Sequence, residues 1–494
     1  MENLKCKLKV LFLSAEASPL VKIGGLGDVA GSLPSALRSL PDSPDVRVAL
    51  PFYPPLKESN LDIIPAASFE IAHTNGPLIC EVFETLINGV PMYLIDGPPI
   101  AADQAVYSGD NFRDGTKFCF FSLAAMELCR ELKWQPDILH AHDWHAAPAV
   151  YNLRLIKKND AFYKDTKSLL TVHNLPYLGH GAEGALQAFG LPRAHMSALP
   201  DWAEHLPLAL GLLTADKINT VSPGYAAEML TPEFGANLDE FLTTRKDDLT
   251  GILNGLDLVA WNPTTDSKLP VNYSPEDLKN RRENKRLLLE ELDLRTDLDA
   301  PLLAMINRMD VQKGVDLVPK ALQLMAELDW QAVILGTGDP ELEEAARQLD
   351  RDYPQVRSIL KYDDGLARRI YGGSDLIMIP SRYEPCGLTQ MIGMRYGCVP
   401  LGRATGGLKD TIVDYQLGNP KKSTGFLFEE ASSAALTDTL RRSLEVYNDR
   451  RRWRGLQRRG MKMDFSWERS AKEYMNLYKG LLSGRRVEGL KVEG

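Results

Sequence analysis

Apolar positions along the chain fall into short continuous runs alternating with stretches at helical spacing. The first run is Lys9-Val10-Leu11-Phe12-Leu13-Ser14, and behind it Ala30, Leu33, Leu37 and Leu40 recur on one helical face. Val46-Arg47-Val48-Ala49-Leu50-Pro51 reads as the next strand. Strands alternating with helices predict a parallel sheet with right-handed crossovers. Residues 61–98 depart from this, with shorter β-like runs around Phe69-Glu70-Ile71 and Met92-Tyr93-Leu94-Ile95-Asp96, and predict a hairpin insertion. After a helix over about 116–132, three strand ends follow in succession. Ile138-Leu139-His140 gives way to Ala141-His142-Asp143-Trp144-His145, Leu169–Val172 to His173-Asn174, and Ile218–Val221 to Ser222-Pro223-Gly224-Tyr225.

The pattern breaks around residues 249–263, and a charged helix is expected over about 275–292. A second alternating series then begins. Leu302–Ile306 ends in Asn307-Arg308, Ala332–Leu335 in Gly336-Thr337-Gly338, and Asp375–Pro380 in Ser381-Arg382-Tyr383-Glu384. The fold class is therefore α/β: two Rossmann-like doubly wound domains, joined near residue 255 and expected to face each other across a deep cleft. Ligands of open α/β sheets bind beyond the carboxyl ends of the strands, and every loop named here lies at such an end.

Composition narrows the class. The 494 residues are 44% hydrophobic and 25% charged, which suits at least two domains of an ordinary globular protein. A net charge of −9 argues against nonspecific binding to nucleic acid or an anionic membrane. A strand pattern already running by Lys9 leaves no room for a signal or transit peptide, and no apolar run approaches membrane-spanning length. The six cysteines form no CxxC pair, so reduced thiols in a cytoplasm are expected.

Four loops carry candidate chemistry. In Val21-Lys22-Ile23-Gly24-Gly25-Leu26-Gly27-Asp28 the glycines let backbone approach an anion and Lys22 adds charge. The same residues also suit a tight βα turn, and the loop is neither G-x-G-x-x-G nor Walker A, which disfavours a nicotinamide or ATPase site. Arg308 and Lys313 flank a loop-to-helix turn from which both can reach one diphosphate, or simply solvate the turn. His140, His142 and His145 form H-x-H-x-x-H, but alternate residues of an extended segment point oppositely, so a hydrogen-bonded cluster is preferred to a metal site. Asp143 is read as a carboxylate projecting from that loop, and His173 as a pocket or a structural residue. Around Glu384, the amides of Gly387, Leu388 and Thr389 open a helix, and a carboxylate beside unpaired amides suits a ligand bearing hydroxyls and phosphates. Cys386 reads as a small packing residue, Asp297-Leu298-Asp299 as a solvated linker, and the Arg-rich segment from Arg441 to Arg459 as a solvated helix face.

Taken in order, Lys22-Ile23-Gly24-Gly25-Leu26, His140-Ala141-His142-Asp143-Trp144-His145, Thr171-Val172-His173-Asn174, the Arg308/Lys313 pair, Ser381 to Gln390 and Thr405-Gly406-Gly407-Leu408-Lys409-Asp410-Thr411 resemble the ADP-glucose-using glycogen and starch synthase family of retaining glycosyltransferases. The resemblance covers nearly the whole chain, with departures at Ile23 and Pro176. It implies a GT-B fold with an N-terminal domain (1–255, acceptor side), a nucleotide-sugar domain (256–465) and a C-terminal helix (466–494) crossing back to the first through residues such as Trp467, Tyr474 and Leu477. It implies transfer of glucose from ADP-glucose to the non-reducing 4-hydroxyl of an α-1,4-glucan such as glycogen, with no cofactor and no metal.

Carried over by motif, Lys22 and the Gly24-Gly25 amides contact the donor diphosphate, and Asp28 and Asn174 join the donor set. Arg308 and Lys313 stabilise charge on departing ADP. Glu384 holds the donor glucose, with Cys386, Gly387, Leu388 and Thr389 around it; His173 faces the glucosyl unit, Asp143 the acceptor, and Tyr362 stacks on adenine. A covalent route through two carboxylates about 5 Å apart is disfavoured, since no such pair stands out. The alternatives are a transferase using UDP-glucose and a non-catalytic glucan-binding scaffold.

Overall fold

The computed structural model describes residues 7–194, 198–415 and 421–484. Contacts within the chain divide it into two compact units, one running to Gly255 and resumed at Trp467, the other Leu256–Ser466.

Among the described residues the first unit holds a nine-stranded sheet. Its strands are β1 (Lys9–Leu13), β2 (Asp45–Pro51), β3 (Ile64–Ile71), β4 (Leu78–Ile87), β5 (Val90–Asp96), β6 (Ile138–His142), β7 (Lys167–Val172), β8 (Lys217–Thr220) and β9 (Leu249–Gly251), in the order β3-β4-β5-β2-β1-β6-β7-β8-β9. From β5 through β2, β1, β6, β7 and β8 to β9 all pairings are parallel, whereas β3/β4 and β4/β5 are antiparallel. The insertion predicted over 61–98 is thus a three-stranded antiparallel extension. Its middle strand, β4, is the one the sequence reading passed over. The buried centre is β1 and β6, where Val10, Phe12, Ile138 and Leu139 are fully enclosed.

The helix expected from about residue 116 starts at Asn111 instead, because the Asp110 carboxylate accepts the amides of Phe112 and Arg113 and fixes the earlier start. The terminal helix Trp467–Ser483 packs against the helix Gly25–Arg38. Two of its tyrosines enter the sheet's interior: Tyr474 Oη accepts from Asn219 Nδ2 at 2.9 Å, and Tyr478 Oη lies 2.8 Å from His140 Nδ1.

The second unit has, among the described residues, a six-stranded sheet of β10 (Leu302–Ile306), β11 (Gln331–Leu335), β12 (Val356–Ile359), β13 (Leu376–Ile379), β14 (Val399–Arg403) and β15 (Phe426–Phe428). The order is β12-β11-β10-β13-β14-β15 and every pairing is parallel. β11 and β13 are buried along their whole length, as expected for strands covered on both faces. At the amino ends of β10 and β13, Lys285 reaches Asp375 at 2.7 Å and also donates to the carbonyl of Ala300. Burial alone would raise the Asp375 carboxyl, but Lys285 and Arg281 outweigh it and hold the group below its ordinary range. The Arg-rich segment is two helices, Ser433–Asn448 and Arg450–Met461, broken at Asp449, which caps the second. Its apolar positions Trp453 and Leu456 are buried in the unit's core.

Candidate functional site

In the first unit the candidate residues gather at the carboxyl ends of β1, β6 and β7. The loop after β1 is organised by a residue the sequence reading did not single out. Glu16 is 3% exposed, and its Oε2 accepts the amides of Ile23 at 2.7 Å and Gly24 at 2.9 Å. Tyr107 donates to its other oxygen. The Gly24 amide is therefore held by Glu16 in this structure. What Gly24 and Gly25 offer is space: a Cβ at either would meet nothing within 4 Å. Lys22 is half exposed and pairs with Asp28 at 2.7 Å, in the first turn of the helix Gly25–Arg38. Below the loop, Ala15, Leu26 and Phe118 cluster, with Tyr107 and Trp144 packed on them.

The three histidines after β6 do different things. Both nitrogens of His140 are engaged, with Tyr478 Oη at 2.8 Å and Thr171 Oγ1 at 2.7 Å. His142 pairs through Nδ1 with Nε2 of His173 at 2.9 Å. His145 lies against Trp144, Tyr107 and Phe118. Burial holds all of them neutral: His145 falls to about 3, and His140 and His142 lie well below the usual imidazole range. Among the described residues no group of three or more His, Cys, Asp or Glu is placed to hold a metal ion.

Asp143 does not project as an open carboxylate. It is 8% exposed, and its Oδ1 accepts the His173 amide at 2.7 Å. Its backbone sits at φ +55°, a left-handed conformation that a non-glycine residue adopts at a cost, and that turns the side chain back to the end of β7. Burial pushes its carboxyl up to about 7 against the lowering effect of the His173 and Asn174 amides. Asp143 thus holds the β7 turn, and through it the half-buried His173, whose imidazole burial takes down to about 3.

In the second unit the loops after β10 and β13 are stitched together. The Arg382 amide donates to the Gln312 carbonyl at 2.7 Å, and Arg382 binds both oxygens of Asp316 at 2.7 Å. Gly314, at φ +67°, sits where a Cβ would lie 2.0 Å from the Pro380 carbonyl oxygen, so only glycine allows this approach. The approach delivers Lys313 to Glu384, its Nζ 2.8 and 2.7 Å from the two carboxylate oxygens. Ser381 donates to Oε2 at 2.9 Å, and the Gly407 amide to the Glu384 carbonyl at 3.0 Å. Glu384 is 7% exposed.

Cys386 is buried beneath Gly407, Gly387 turns at φ +74°, Leu388 precedes the helix Thr389–Arg395, and Gln390 ties the turn by donating to the carbonyls of Cys386 and Gly387. Arg308 does not join Lys313 on Glu384; it pairs with Asp310 at 3.0 Å and stays largely exposed. Tyr362 follows β12 with its ring open to solvent, at 86% exposure.

Two parallel-sheet α/β units, each with its charged loops at strand carboxyl ends, are the architecture of a GT-B glycosyltransferase. Comparison with known proteins agrees and goes further. The starch synthase catalytic domain family matches residues 9–244, and the glycosyl transferases group 1 family matches residues 291–458. The glycogen synthase of Moorella thermoacetica is 40% identical over 98% of this chain and 99% of its own length, and that of Geotalea daltonii 38% over 96% and 99%. Among solved structures, the catalytic domain of starch synthase IV from Arabidopsis thaliana, bound to ADP and acarbose, superposes with a TM-score of 0.86 at 32% identity, covering 97% of this chain and all of that one. The chain belongs to the glycogen and starch synthase family, and is a glycosyltransferase.

Proposed function

We propose that the protein elongates glycogen, transferring glucose from ADP-glucose to the 4-hydroxyl at the non-reducing end of an α-1,4-glucan with retention of configuration. The observation that carries this reading is the Lys313–Glu384–Ser381 cluster at the end of β13, a nearly buried carboxylate neutralised by one ammonium and oriented by one hydroxyl. Such a carboxylate suits the hydroxyls of a sugar, and the ammonium beside it suits the phosphate that departs from that sugar. The starch synthase bound to ADP and acarbose supports a nucleotide donor and a glucan-like acceptor for this chain too.

As the glycosidic bond breaks, positive charge develops on the sugar ring and negative charge on the leaving phosphate. In the second unit Arg308 and Lys313 are cations whose benefit grows as that charge develops, so they lower the barrier rather than only tighten binding; in the first, Lys22 and the open space at Gly24-Gly25 suit a phosphate of the donor. Glu384 holds the glucosyl unit, Tyr362 lends an exposed ring to the base, and Asp28 keeps the Lys22 ammonium in place. Asn174, Cys386, Gly387, Leu388 and Thr389 complete the donor set. Asp143 acts through His173 rather than on the acceptor directly. No helix among the described residues is long and apolar enough to cross a membrane. A cytoplasmic location is part of the same proposal, supported by the glycogen synthase relatives.

The test is incubation with glycogen and either ADP-glucose or UDP-glucose, reading chain extension. Extension from ADP-glucose is expected. Extension from UDP-glucose alone would reassign the donor, and no turnover from either would leave a glucan-binding scaffold. Lys22→Ala and Arg308→Ala should each lower kcat by about 10²–10³-fold with the fold intact; full activity in both would refute the site.

A further inference from the structure

His142 is a buried titratable group that the reading above leaves without a role. Its ring is fully enclosed, with the rings of Phe12 at 4.1 Å and His140 at 4.2 Å between centroids. Nδ1 lies 2.9 Å from Nε2 of His173. The other nitrogen, Nε2, has no hydrogen-bonding partner among the described residues.

A bond between two imidazole nitrogens contains one proton, so one ring donates and the other accepts. Both rings are neutral, since burial depresses each of them well below the ordinary imidazole range. Two arrangements are then possible. If His173 donated, the proton of His142 would sit on Nε2, an N–H sealed away from any acceptor. If His142 donates, only a lone pair on Nε2 is left unmatched. A buried donor without a partner is rarer and costlier than an acceptor without one. We infer that His142 carries its proton on Nδ1, donates it to Nε2 of His173, and so confines the His173 proton to Nδ1.

The His173 amide is meanwhile fixed on Asp143 Oδ1 at 2.7 Å. With backbone and Nε2 both held, Nδ1–H is the group the half-buried ring presents, and it hydrogen-bonds to none of the described residues. Resting on the glucosyl-transfer reading, the consequence is directional: a sugar hydroxyl at this position accepts a hydrogen bond from His173 and cannot donate one to it. His142 is a positioning residue, acting through His173 and touching no reacting atom.

Long-range ¹H–¹⁵N correlation spectra of the full chain carrying ¹⁵N-histidine read the tautomer of each ring. Nδ1–H is expected for both His142 and His173, and an Nε2–H pattern on either overturns the inference without any variant being made. His142→Phe keeps the ring packing and removes the donor. It should release His173 toward the Nε2–H form and lower kcat about ten-fold while KM for glucan moves less than about two-fold. His142→Gln, which restores an N–H, should recover part of the loss. His173 held in the Nδ1–H form in His142→Phe would show that something else sets it. The spectra require no turnover, so failure of the transferase reading and failure of the tautomer assignment are separately visible.

Discussion

Lys313 and Glu384 depend on each other, and Lys313→Ala tests how much. The mutation removes an ammonium lying within 2.8 Å of both carboxylate oxygens of a residue that is 7% exposed, leaving Ser381 as the side-chain donor within 2.9 Å. Removing one partner of a buried ion pair costs about 3–5 kcal/mol, because the remaining charge is stranded. The Lys313 side chain is 20% accessible, so some water reaches the pair and the lower end, about 3 kcal/mol, applies. For a unit of roughly 200 residues that corresponds to a fall in Tm of about 6–12 °C. Glu384→Gln should cost less, about 1 kcal/mol, since the freed ammonium can turn to solvent. The double variant Lys313→Ala with Glu384→Gln strands nothing and should cost only about 1 kcal/mol, recovering most of the stability, a coupling of about 3 kcal/mol. Calorimetry of the four proteins reads the cycle, and donor turnover measured alongside should stay lost in all three variants. Stability losses that add within about 0.5 kcal/mol would refute the mutual dependence.

Acid should destabilise the protein. His145 is neutral in the fold down to about pH 3, yet takes a proton near 6.5 in the unfolded chain, so the unfolded state binds more protons between those values and stability falls as pH drops below 6.5. From pH 6.5 to 5 this one residue removes about 2 kcal/mol, and His140 and His142 act in the same direction. Asp143, raised to about 7, opposes them, but it is one group against several; a urea midpoint at pH 5 equal to that at pH 7 would contradict the balance. Gly407→Ala places a Cβ 2.0 Å from the Cys386 carbonyl oxygen and 2.5 Å from its Cα, both backbone, so the Glu384 loop must shift. A loss of about 1–3 kcal/mol and a raised donor KM are expected, and an unchanged KM would show that the loop position is immaterial. Tyr478→Phe leaves His140 Nδ1 without its partner and should cost about 1–3 kcal/mol by urea denaturation, more than a surface Tyr→Phe.

The alternation of strands and helices was legible because parallel strands buried on both faces are written as continuous apolar runs; β6 and β13 could hardly be read otherwise. β4 was not, since its exposed Ile79 and Leu86 and its Glu81 and Glu84 spoil a clean period of two. Lys22, Glu384 and Lys313 could be singled out as charges at strand ends. What the sequence could not reveal is which charges meet. Lys313 finds Glu384 across 71 positions because Gly314 lets two loops touch, whereas Arg308 stays with Asp310 two residues away. Glu16 stayed unnoticed since a single glutamate in Ser14-Ala15-Glu16 has no pattern; its position directly after a strand and before a glycine loop was the available signal. The inward turn of Asp143 has a physical reason that the sequence does not show: a left-handed backbone at a non-glycine residue turns the carboxylate back, and composition does not announce φ.

The terminal helix changes when, rather than whether, the first unit is complete. Tyr474 meets Asn219 across 255 positions and Tyr478 meets His140 across 338. At equilibrium that separation matters little, since each doubling of a closed loop adds only about 0.6 kcal/mol. In time it matters more. On the ribosome β6 and β8 emerge with Thr171 as a partner for His140 and Asn219, but the tyrosines that complete their bonding are made only after the whole of the second unit, whose sheet lies within one continuous stretch of chain. Domains usually mature in the order of synthesis. Here the order is reversed, and the half bearing Lys22 and His173 is finished last.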